Sequence, residues 1–72
     1  MHAAIRRYGM SDIRIEIQDQ FGTWHTYTTV SNFPTSIKQA LQTALKSQLA
    51  QRSRKARAVD AKTGALIDLL QG

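Results

Sequence analysis

Cysteine is absent from all 72 residues, which excludes disulfides, thiolate metal sites and cysteine nucleophiles together. Glycines stand singly at 9, 22, 64 and 72, so no glycine-rich loop is present to cradle a phosphate. Histidine is limited to His2 and His25, and without cysteine these two fall short of the three or four ligands that a zinc site needs. Neither histidine neighbours a nucleophile in sequence, and His25 lies among threonines in a strand-like stretch. The five carboxylates are scattered at 12, 16, 19, 60 and 68, and Glu16 and Asp19 come close only at a hairpin end, where turn formation explains them. A chain this short also buries only ~60% of the surface it exposes when unfolded, which leaves little room for an enclosed catalytic cavity. The expectation is a protein with no catalytic residues, no cofactor and no metal.

Long apolar runs are missing too. Nothing approaches the ~20 residues of a membrane span, and Met1 to Gly9 contains no apolar stretch of signal-peptide length, so a cytoplasmic address without membrane attachment is expected. Residues 1–10 lack periodicity and hold the adjacent Arg6 and Arg7, which predicts a flexible N-terminal arm ahead of one domain over 11–72.

Charge is plentiful and uneven. The formal net charge is +5, and residues 1–36 contribute nothing to it, because Arg6, Arg7 and Arg14 balance Asp12, Glu16 and Asp19. The whole excess lies in the second half, densest over Arg52, Arg54, Lys55 and Arg57 with no acid among them. Such a cluster suits an anionic partner, or it complements the negative end of a preceding helix and keeps a loop solvated.

Hydrophobic periodicity supplies the architecture. Asp12 to Gln18 alternates strictly, with Ile13, Ile15 and Ile17 on one side and Arg14, Glu16 and Gln18 on the other, as a half-buried strand does. Asp19-Gln20-Phe21-Gly22 has turn chemistry, and the β-branched and aromatic run Thr23 to Val30 is the returning strand. Two registers compete. Pairing Gln18 with Thr23 puts Trp24, Thr26, Thr28 and Val30 on the isoleucine side and leaves His25, Tyr27 and Thr29 outside; a bulge at Gly22 reverses this. The first is preferred because it buries the tryptophan, and either leaves one large aromatic on the far face. Ser36 and Gln39 fit a capping box, and Ile37, Ala40, Leu41, Ala44, Leu45 and Leu49 make one apolar stripe of a helix running from Ser36 to about Gln51.

Lys55 to Asp60 and Ala65 to Leu70, joined around Gly64, read as a second hairpin. Asp60 opposite Ala65 sets Val59 across from Leu66 and Arg57 across from Asp68, with Ala58, Ile67 and Leu69 facing the helix. The competing reading coils Leu66 to Leu70 into a short terminal helix, because its apolar residues do not alternate cleanly. The predicted fold is α+β, a two-layer ββαββ arrangement in which a largely antiparallel four-stranded sheet carries one amphipathic helix on one face.

Such a sheet has a second face, and that face directs the functional reading. Tyr27, Val59, Leu66 and Leu70 are expected there as an apolar patch for another protein, or for a second copy of the chain in a homodimer. The alternative is a nucleic-acid-binding accessory protein in which Arg14, Arg52, Arg54, Lys55 and Arg57 contact phosphates and an aromatic stacks on a base.

Overall fold

The computed structural model describes residues 12–47 and 54–72. The expected N-terminal arm, Arg52 and Leu49 lie outside them. Strands β1 (Asp12–Gln18) and β2 (Trp24–Ser31) precede helix α1 (Pro34–Leu45), and β3 (Lys55–Asp60) and β4 (Leu66–Gln71) follow it. The four strands form one antiparallel sheet in the order β2-β1-β3-β4, with α1 packed on one face. The α+β two-layer architecture is as the periodicity implies. Residues 66–71 are strand, so the terminal-helix alternative does not apply.

The covered face follows from β1. Ile13, Ile15 and Ile17 alternate onto it, and across the central ladder Ile15 pairs with Ala58 and Ile17 with Ala56. Ile37, Leu41 and Ala44 of α1 complete the buried set, and Val30, Ala40, Leu45 and Leu70 seal its margins. Both β3 alanines are fully buried, so a narrow floor on β3 lets α1 approach next to the bulkier isoleucines.

The helix begins earlier and ends sooner than its pattern suggests. Phe33 is the N-cap in extended conformation, with no side-chain cap hydrogen bond, and Pro34 opens the helix where its missing N–H costs nothing. Ser36 is therefore already inside the first turn, and no capping box forms. At the other end Leu45 is the last helical residue, and the Lys46 N–H closes back on the Thr43 carbonyl at 3.1 Å.

The first hairpin takes the other register. The Asp19 N–H donates to the Thr23 carbonyl at 2.8 Å, leaving a three-residue loop that closes on Gly22 at φ 89°, so Gln18 pairs with Trp24 and Ile17 with His25. Loop chemistry decides this against tryptophan burial. The Asp19 carboxylate accepts the Phe21 and Thr23 N–H groups through Oδ1, at 2.8 and 2.9 Å, and fixes the chain's exit from the turn. A bulge opposite Ile15/Glu16 then makes Tyr27 the extra residue, after which Thr28 pairs with Ile15 and Val30 with Ile13. Trp24 thus lies on the uncovered face, and it is the large aromatic left there.

A second bulge governs β4. Val59 pairs with Leu66 as the turn predicts, but Ile67 is then extra and Ala58 meets Asp68. Arg57 accordingly pairs with Leu69, not Asp68. The bulge accounts for the irregular spacing of this segment: residues three apart share a side, Ile67 and Leu70 toward the helix and Leu66 and Leu69 away from it.

Candidate interaction face

No described element packs on the sheet face opposite α1. The ladders arrange its side chains in rows: Thr29, Arg14, Val59 and Leu66 in one, and Thr26, Glu16, Arg57 and Leu69 in the next. Trp24 and Gln18 begin a third, and Lys55 and Gln71 extend β3 and β4 beside Arg57 and Leu69.

Glu16 is the centre of this surface. Only 8% of it is exposed, and both oxygens are engaged, Oε2 by Arg14 Nε at 2.8 Å and Oε1 by Arg57 Nε at 2.7 Å. Burial is the largest single influence on its carboxyl and would raise the pKa. The hydrogen bonds from Arg57 and Arg14, together with their charges, outweigh it and hold the pKa below its ordinary value. The Arg57 guanidinium also sits over the Trp24 ring, 4.1 Å from its centroid. Trp24, Arg57, Glu16 and Arg14 form one connected surface unit with two positive charges and one negative.

Apolar side chains flank the unit on the β4 side. Leu66 is 60% exposed and Leu69 44%, whereas Val59, on the same face, is only 4% exposed and acts as the floor between Arg14 and Leu66. Two of the expected interface residues are elsewhere. Leu70 pairs with Ala56 and packs at the margin of the core. Tyr27 lines a groove with Thr28, Val30, Ser36, Gln39 and Thr43 on the helix side of the β2 edge. Tyr27 faces inward because the three-residue loop resets the register of β2, and Leu70 because the bulge at Ile67 changes the phase of β4; Leu69 and Trp24 take their places.

The cations divide in the same way. Arg14, Lys55 and Arg57 are on the uncovered face, but Arg14 and Arg57 share a carboxylate. Arg54 precedes β3 in the left-handed region at φ 57°, and its carbonyl accepts the Gly72 N–H at 2.9 Å. Its guanidinium lies against Gly72, where an added Cβ would come within 3.1 Å of it.

The strongest acid–histidine contact serves the turn. His25 Nε2 is 2.7 Å from Asp19 Oδ2, the oxygen not used by the loop N–H groups. The His25 hydrogen bond, followed by that of the Thr23 N–H, lowers the Asp19 pKa. Among the described residues no three His, Asp or Glu side chains gather where a metal ion could bind, and no helix is long and apolar enough to cross a membrane. No family model, curated protein or solved structure matches the chain.

Proposed function

We propose that this chain is a non-catalytic docking domain that binds another protein through the sheet face opposite α1. The observation that carries this reading is the exposure of Leu66 and Leu69 beside a tryptophan and two arginines already fixed in place by Glu16. Tryptophan and arginine are the side chains that most often dominate interface energies, and apolar neighbours that exclude water raise their weight. Holding the arginines before a partner arrives removes part of the ordering cost of binding.

Nucleic-acid binding is the weaker reading on the same residues. The Trp24 ring face that would stack on a base carries Arg57, and the exposed Leu66 and Leu69 beside it suit an apolar partner surface, not a phosphate backbone.

The test is a photo-crosslinking amino acid placed at position 66 or 69, with position 42 on the exposed side of α1 as control, in the cells that make the protein. Protein adducts at 66 and 69 that are absent at 42, and that are competed by unlabelled wild-type chain but not by a Leu66→Ser/Leu69→Ser chain, are the expected result. Equal labelling at all three positions, or none at 66 and 69, would refute the reading.

A further inference from the structure

Resting on that docking reading, we infer that the partner presents an acidic amphipathic helix, laid across the uncovered face with its apolar stripe on Val59, Leu66 and Leu69 and its carboxylates toward Arg14, Arg57 and Lys55. Charge and its placement lead to this occupant. Glu16 binds each arginine through Nε alone, and among the described residues the terminal guanidinium nitrogens of Arg14 and Arg57 make no hydrogen bond. Those nitrogens are donors held in position for a second carboxylate, in a fork that favours planar acceptors. Lys55, next on the same side of β3, adds a further positive charge.

A second copy of the chain fits poorly. Stacking this face on itself would bring Arg14, Arg57 and Lys55 against the same cations, on a chain whose formal charge is already +5. A helix fits the pattern of the face, in which Leu66 and Leu69 form an apolar line on β4 and Arg14, Arg57 and Lys55 a second line beside it that steps from β1 to β3. One helix with an apolar stripe and an acidic flank meets both lines at once. Packing one helix against a sheet face is what the 12-residue α1 already does on the other side, so about three turns are enough.

The experiment titrates the full chain with a synthetic helical peptide of about four turns, leucines on one stripe and glutamates along its flank, followed by Trp24 fluorescence and backbone amide shifts. An otherwise identical peptide with lysine for glutamate, and a thymidine oligonucleotide, are the comparison ligands. The glutamate peptide is expected to shift the amides of residues 14, 57, 66 and 69, to bind at least about tenfold tighter than the lysine peptide, and to weaken as salt rises. Lys55→Gln should weaken it about threefold and Leu66→Ser/Leu69→Ser about tenfold or more. Both changes lie at exposed or half-exposed positions, and amide spectra of the free variants report whether the fold is kept. Equal binding of the two peptides, no binding of the glutamate peptide, concentration-dependent self-association through the same amides, or tighter oligonucleotide binding at these residues would each overturn the acidic-helix assignment. If adducts at 66 and 69 persist when the glutamate peptide fails, the docking face stands and only the chemistry of its partner is wrong.

Discussion

The two faces of this sheet are built from the same four strands yet obey different rules. The buried core of the covered face is chemically uniform, isoleucine and alanine under isoleucine, leucine and alanine, and its members need nothing but shape to fit. The opposite face mixes a buried carboxylate, two arginines, a tryptophan, threonines and exposed leucines within three rows. Folding alone explains the first. The second holds a charge triad and leaves Leu66 and Leu69 in water, which burial alone does not account for. The comparison therefore separates residues whose burial makes the core from residues left at the surface that the proposed docking would use.

The largest effect should come from breaking the covered face. Ile15 is fully buried at the centre of β1, and Ile15→Ala should cost about 2–5 kcal/mol in transfer and cavity terms. A single core this small rarely supplies more than about 3–5 kcal/mol. Urea denaturation should find the variant largely unfolded in buffer. A loss under about 1 kcal/mol would mean that the core lies elsewhere.

That face is also the part most legible in the sequence. The alternation of Ile13, Ile15 and Ile17 sets both the limits and the orientation of β1, because a period of two over seven residues admits no other buried arrangement. The spacing of Ile37, Leu41 and Ala44 likewise sets the inner side of α1. The uncovered face is less legible because its membership depends on phase. A three-residue loop closing at Gly22 and bulges at Tyr27 and Ile67 each move side chains across the sheet, and none leaves a compositional trace as strong as an isoleucine stripe. Val59 and Leu66 lie on the face that alternation gives them because they adjoin the Asp60 turn, before any bulge intervenes. Leu69, Leu70, Trp24 and Tyr27 lie beyond such irregularities, on the opposite side from the one that simple alternation gives them. The place of Glu16 is not legible in the sequence, because its ion pair with Arg57 depends on strand order, which local pattern does not encode. The one usable signal was the broken alternation of Leu66, Ile67, Leu69 and Leu70, whose three-residue spacing suits a bulged edge strand as well as a helix.

The charge triad should give the intermediate effect. In Glu16→Gln the shared carboxylate is gone while Arg14 and Arg57 remain as like charges beside it. About a third of each arginine side chain is exposed, so screening reduces the loss to about 1–2 kcal/mol. The pH dependence gives this prediction its sign. The folded pKa of Glu16 is lower than that of the unfolded chain, so its contribution is complete above the ordinary carboxylate value and disappears as pH falls from there through the depressed folded value. Asp19 acts in the same direction at the turn. Wild type should lose stability steadily through that acid range, and Glu16→Gln should follow a flatter curve that approaches wild type at the acid end. Parallel curves would show that the triad contributes nothing that titrates.

The smallest effect sharpens the contrast most. Leu69 pairs with Arg57 across β3 and β4 and remains 44% exposed, so Leu69→Ser removes little buried area and leaves the ladder hydrogen bonds in place. Thermal unfolding should change by no more than about 0.5 kcal/mol, the usual range for a surface position. Since exposed apolar area is unfavourable by about 25 cal/mol per Å² against a buried state, the same substitution should instead reduce whatever association the face makes. A leucine dispensable to the fold and required for association belongs to the second face alone. If Leu69→Ser instead destabilised the fold as Ile15→Ala does, the two faces would share one core, and the separation between folding residues and docking residues would collapse.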